Sequence, residues 1–228
     1  MHLIAKLSSI YRNLAPKSGL MRILFVLLLM SFTILIKAQE QHELHQQLTN
    51  ERFETLRKIL DYRFKGGSGE FERVMLSMVE YTPEARKNCV VGTMILMFTV
   101  SCDNTLGELS LRNPLHHGLN EQVQEFLKST DGMWNTCQNE KYTRFEVPVL
   151  FTLEGTETSA RGLITVVAED PGFTCRSDAW HIDRYEKFKE KGRTKKALEM
   201  LDLLIRRDPY NNSYYELKRQ LLGAEATE

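Results

Sequence analysis

The chain carries no excess of charge: among its 228 residues, 30 Lys and Arg stand against 30 Asp and Glu. That balance argues against nucleic acid or a strongly anionic surface as the main partner. Its four cysteines include no C-x-x-C pair, so no zinc pattern is present. No glycine pattern fits a phosphate loop, because Gly66-Gly67-Ser68-Gly69 lacks the lysine such a loop needs. The serines have no nucleophile-elbow context. His116-His117 has no Cys, Asp or Glu at ligand spacing, and neighbours in a loop point apart, so the pair reads as a solvated turn. The basic run Lys187, Lys189, Lys191, Arg193, Lys195, Lys196 is interleaved with Glu186 and Glu190, which reads as solvated helix pairs rather than an anion site. No catalytic residue, metal or cofactor is assigned on these grounds, and the chain is not read as an enzyme.

A hydrophobic run long enough to cross a bilayer is also missing near the N-terminus. Arg22 precedes an apolar run from Ile23 to Ile36, about 14 residues, followed by Lys37-Ala38-Gln39-Glu40. That length suits a signal-peptide core and falls short of the roughly 20 residues of a spanning helix. The pattern predicts a signal peptide over residues 1–39, cleaved near Ala38 or Gln39, with Met21 as an alternative start. An uncleaved anchor in the inner membrane through residues 22–38 is the alternative. Export would place Cys89, Cys102, Cys137 and Cys175 where disulfides persist. Four cysteines allow three pairings.

What the sequence does have is one ordered run between Phe64 and Leu153. It opens with Phe64-Lys65-Gly66-Gly67 and an amphipathic helix carrying Phe71, Val74, Met75, Met78 and Val79, then Tyr81-Thr82-Pro83-Glu84-Ala85. A glycine-led strand follows, Gly92 to Val100, with Asp103 and Gly107 behind it. A second helix leads to Trp134, and the run closes on Val147-Pro148-Val149-Leu150-Phe151. This order resembles the C-terminal domain of TonB-family proteins of bacteria with two membranes, over about 90 residues. The resemblance implies a module that binds partner peptides and has no chemistry of its own. It also implies that the Gly66–Gly69 stretch belongs to the domain. One departure is plain: the long proline-rich spacer of a typical TonB protein is missing. Residues 40–63 read instead as a helix, with Leu44, Leu48, Leu56, Ile59, Leu60 and Arg63 on one stripe. Without a spacer the domain could hardly reach across a periplasm from an inner-membrane anchor, which favours a free exported protein.

Alternation places Met94, Leu96, Phe98 and Val100 on one face of the first strand and Thr93, Ile95, Met97 and Thr99 on the other. Two largely apolar faces suggest a central strand. The second strand, Leu106 to Arg112, turns Leu109 and Leu111 inward and Glu108, Ser110 and Arg112 outward. Asn120 is the expected N-cap of the helix carrying Val123, Phe126 and Leu127. With a right-handed crossover the strand order becomes two-one-three. Cys102 and Cys137 then meet at one end of the sheet, and a Cys102–Cys137 disulfide is expected. Cys89 falls at the opposite end and Cys175 beyond the sheet, so their pairing stays open. Trp134 and Trp180 are expected to anchor the core.

In TonB proteins, by this resemblance, the third strand is an exposed edge to which a partner peptide adds as a further strand. Pro148 fits such an edge. Here a polar turn at 155–160 is followed by a β-rich run, Leu163 to Ala168, expected to fold back as a hairpin over that edge. The hairpin would be short or movable, since Pro148 leaves the pairing one hydrogen bond short. The candidate partner-strand edge is Val147, Val149, Phe151, Ile164 and Val166.

Beyond it, Phe188, Gly192, Ala197, Leu201, Leu204 and Pro209 match the spacing of one tetratricopeptide-like repeat, capped by a helix through Tyr214, Leu217 and Leu221. One repeat cannot bury its apolar face alone and must pack on the sheet domain, the lead-in helix, a second copy or a partner. The expected architecture is thus α+β. A small antiparallel sheet, order 2-1-3 with an added hairpin strand, packs with two helices, and a C-terminal α-helical hairpin unit follows. The segments are 1–39 (signal peptide or anchor), 40–63 (helical lead-in), 64–170 (TonB C-terminal-like domain with extra hairpin) and 178–228 (helical unit). The expected role is an exported, periplasmic, non-enzymatic protein–protein interaction module, partnered by another envelope protein or peptide, or by a second copy of itself. A membrane-anchored TonB-like energy transducer contacting outer-membrane transporters is the alternative.

Overall fold

The computed structural model describes residues 43, 45–138 and 141–225. The expected signal or anchor segment therefore lies outside the described residues, as does Leu44. Residues 45–51 are helical and belong to one unit, while a second compact unit begins at Arg52. Among the described residues of that second unit there are seven helices and four strands. In chain order they are α1 (52–63), α2 (Gly67–Met78), α3 (Pro83–Lys87), β1 (Gly92–Ser101), β2 (Leu106–Arg112), α4 (Leu119–Ser129), β3 (Tyr142–Leu153), β4 (Ile164–Ala168), α5 (Asp178–Glu190), α6 (Thr194–Arg207) and α7 (Asn212–Glu225). The class is α+β.

The sheet order is β2-β1-β3-β4. β1 is central and antiparallel to both neighbours, pairing Leu96 with Leu111 on one side and with Val147 on the other. Its even-numbered side chains, Met94 to Val100, are buried and share a core with Val147, Val149 and Phe145 of β3. Leu56 and Leu60 of α1, Phe71 and Met75 of α2, and Val123 and Phe126 of α4 complete that core. The stripe read on the lead-in helix thus faces inward from Leu56 on. Arg63, at its end, is fully buried and donates from Nη2 to the Ser101 carbonyl at 2.8 Å, closing the end of β1. Trp134 sits among Phe64, Phe98 and Phe145 at ring separations of 5.0, 5.5 and 5.2 Å, and its indole N–H donates to Thr130 Oγ1 at 3.1 Å.

The other face of the sheet is also covered at one end. Ile95 is fully buried there, and the chain at α6 passes so near β1 that a Cβ on Gly92 would lie 2.7 Å from the Arg206 carbonyl oxygen. Asn113 bridges the two, donating from Nδ2 to the carbonyls of Thr93 and Arg206, each at 2.6 Å. Helices α5–α7 hold a small core of their own from Tyr185, Ala197, Leu201, Leu204 and Tyr214, with Phe188 partly buried beside it and Gly192 (φ 61°) in the α5–α6 turn.

Cys102 and Cys137 are joined, with Cα atoms 4.7 Å apart, at the end of β1 where β3 begins. Cys89 and Cys175 are joined as well, with Cα atoms 5.6 Å apart. The pairing left open by the sequence fastens the chain before β1 to the segment that leads into α5.

Several expectations are corrected. The added strand is not half of a hairpin: β4 runs parallel to β3. The cap of α4 is Gly118 (φ 84°), not Asn120, whose side chain instead accepts from the N–H groups of Leu115 and His116. Pro83 opens a further helix, α3, capped by Thr82, because a proline fits the first helical turn where its missing N–H costs nothing. Trp180 is only half-buried, with the guanidinium groups of Arg176 and Arg184 4.9 and 5.4 Å from its ring.

Candidate interaction site

The five residues read as a partner-strand edge, Val147, Val149, Phe151, Ile164 and Val166, all turn their side chains into the core and are at most 5% exposed. Their side chains are closed to a partner, and what this edge can offer is backbone. The register pairs Val149 with Ile164 and Phe151 with Val166, so β4 occupies the edge of β3 from Val149 to Leu153. Val147 lies beyond the end of β4. From Tyr142 to Val147 the outer side of β3 pairs with no strand among the described residues, and Arg57 Nη2 of α1 reaches the nearby Leu163 carbonyl at 3.4 Å.

The terminal edge on this side of the sheet is the outer side of β4, and β2 is the terminal strand on the other side. Glu154 donates its N–H to the Ala168 carbonyl at 2.9 Å, so residue 168 of β4 bonds inward toward β3. Successive residues of a strand turn their N–H and C=O groups to opposite sides. Ile164 and Val166 therefore bond inward as well, and the backbone groups of Thr165 and Val167 face away from β3. No further strand pairs with β4 among the described residues. Thr165 and Val167 present exposed side chains on the opposite face of the sheet, Val167 at 54%.

A parallel strand needs a return path, and it determines how firmly this edge is held. After Leu153 the chain turns at Glu154-Gly155 and runs back across the outer face of the sheet. Thr93 Oγ1 donates to the Arg161 carbonyl at 3.1 Å. A Cβ on Gly162 would lie 2.5 Å from the Leu150 nitrogen, so only glycine allows this close passage. Asp178, at the start of α5, accepts from the Ser159 N–H at 2.7 Å and from Thr158 Oγ1 at 2.9 Å. Its other oxygen pairs with Arg207 at 2.8 Å in a buried contact. The return segment is thus fastened at several points, and the expectation of a movable cover gives way to a braced one.

A cleft of about 610 Å³ opens elsewhere on the unit, lined by Arg52, Arg112, Glu146, Tyr210 and Tyr215 among others. Arg112 pairs with Glu146 at 3.3 Å, and the Arg52 guanidinium lies 4.1 Å from the centre of the Tyr210 ring. Burial holds the Tyr210 phenol above its ordinary range, and Arg52 and Arg112 partly offset that shift. Among the described residues no group of three His, Cys, Asp or Glu is placed to hold a metal ion, and no helix is long and apolar enough to cross a membrane. The expected inner-membrane anchor falls outside those residues.

No family model matches the chain, and no curated protein matches it. Among solved structures there is a likeness to the TonB C-terminal domain of Helicobacter pylori, determined in solution by NMR. It has 17% identity and a TM-score of 0.31, and covers 36% of this chain and 89% of that one.

The sequence reading missed the direction of β4. Its trace was the ten-residue connection 154–163, long for a hairpin and bounded by Gly155 and Gly162.

Proposed function

We propose that this chain is a non-enzymatic protein–protein interaction module of the cell envelope, of the TonB C-terminal type, that receives an extended segment of a partner along the outer side of β4. One observation carries this reading: β4 is a terminal strand whose Thr165 and Val167 backbone groups face away from the sheet, on a ribbon braced by Asp178 and Gly162. An edge held in place loses little entropy when a partner strand adds to it. At five residues the edge is short, which limits self-association in the way natural edges do. The two disulfides support an oxidising, exported location. Helices α5–α7 read as one tetratricopeptide-like repeat with its cap, for Ala197 sits fully buried beside the Gly192 turn. Its apolar side is met by β1 and the return segment rather than by a second repeat.

The test is capture from envelope extract with the oxidised full chain and its Thr165→Pro variant as parallel baits. By alternation the Thr165 N–H faces outward, so proline there removes a docking donor and no bond to β3. Circular dichroism checks that the variant folds. A protein retained by the wild type and lost by the variant, with slowed amide exchange at Thr165 and Val167 on binding, is the expected outcome. Equal capture by both baits would refute docking along β4.

A further inference from the structure

A second cavity, of about 320 Å³, lies where the segment before β1, the 113–118 loop, the Cys89–Cys175 disulfide and helices α5 and α6 meet. Its lining includes Arg176, Arg206, Arg207, His116, His117 and His181, and not one carboxylate. Arg207 is committed to Asp178 and to the Arg176 carbonyl, each at 2.8 Å. Arg176 and Arg206 form no ion pair among the described residues, and both are exposed. His181 is 7% exposed, and its Nδ1 has no hydrogen-bond partner. Val91 and Leu115 add buried apolar wall.

The backbone around this cavity is unusual. Five non-glycine residues of the described chain have positive φ, and three of them, Cys89 (50°), His116 (62°) and His117 (54°), line it. Such conformations persist only where the surroundings enforce them. Here a disulfide holds Cys89, Thr82 Oγ1 donates to the His117 carbonyl at 2.6 Å, and Asn120 Oδ1 accepts from the His116 N–H at 3.3 Å. The cavity wall is therefore shaped in advance of any occupant, which lowers the entropic cost of binding.

We infer that this cavity binds a small organic anion, its oxyanion group taken by Arg176 and Arg206 and its apolar body resting on Val91 and Leu115. Guanidinium groups present paired donors that match a carboxylate or a phosphate. The volume is at the small end of ligand pockets, which suits a metabolite-sized carboxylate and excludes a folded partner. The site is independent of the β4 edge and stands or falls apart from it.

His181 reports occupancy. Its pKa is lowered to about 4, by burial first and then by Arg207 and Arg176, with Asp178 opposing them. An anion beside the arginines weakens their field and raises that pKa. The experiment titrates the oxidised full chain with hexanoate and, separately, with inorganic phosphate, following histidine ring nitrogens and methyl groups by NMR. Saturable hexanoate binding is expected, with Val91 and Leu115 methyl shifts, an upward move of about one unit in the His181 pKa and an affinity about tenfold weaker in Arg176→Gln/Arg206→Gln. Saturation by phosphate alone would overturn the apolar body. Absence of saturation by either probe up to about 20 mM overturns the site itself, as does affinity unchanged in a folded double variant.

Discussion

Trp134 shows how much of this fold rests on single side chains. Its ring meets Phe64, just after α1, and Phe98 and Phe145 of the sheet, and its N–H is satisfied within the core. Trp134→Ala should cost about 3–5 kcal/mol, seen as a lowered urea midpoint with an unchanged slope. His181 gives a pH signature of its own. Its folded pKa of about 4 lies below the ordinary 6.5, because burial disfavours the imidazolium and Arg207 adds to that. The unfolded chain therefore takes up the proton first. Stability from this residue is complete above about pH 6.5 and is lost as pH falls toward 4, by at most about 3 kcal/mol. Urea midpoints at neutral and mildly acidic pH should converge between the wild type and His181→Gln as acid is added, because only the wild type carries this loss.

Among elements, β1 and α6 come into close contact. Gly92 meets the Arg206 carbonyl through space that no side chain could share. Gly92→Ala must push α6 off the sheet, and the expected penalty is about 1–3 kcal/mol by thermal or chemical melting. β4 rests on a similar device, since Gly162 lets the return segment lie against Leu150, and Asp178 then ties that segment to α5. Strand edge and helical unit are coupled through one carboxylate, so what loosens α5 also loosens the edge proposed for docking.

For the unit as a whole, the Cys89–Cys175 bridge matters most. It closes a loop of 86 residues in sequence, against 35 for Cys102–Cys137. In the chain-entropy limit Cys89→Ser/Cys175→Ser should lose about 4–5 kcal/mol, and Cys102→Ser/Cys137→Ser somewhat less. Equilibrium unfolding of both variants beside the oxidised wild type checks the order. The first bridge also borders the 320 Å³ cavity, so reduction should weaken hexanoate binding together with stability.

Local patterns were enough for the elements and for much of their arrangement. Period-two alternation marks β1 as central, a right-handed crossover gives the order β2-β1-β3, and the same geometry brings Cys102 beside Cys137. Those inferences work because side-chain period and handedness are properties of neighbouring residues. The direction of β4, the Cys89–Cys175 bridge and the cavity ringed by His116, His117 and His181 depend on groups distant in the chain. The cover on β3 is parallel because Gly162 can pass Leu150 and Asp178 waits to receive the loop, and that meeting exists only once α5 and α6 have docked on the sheet.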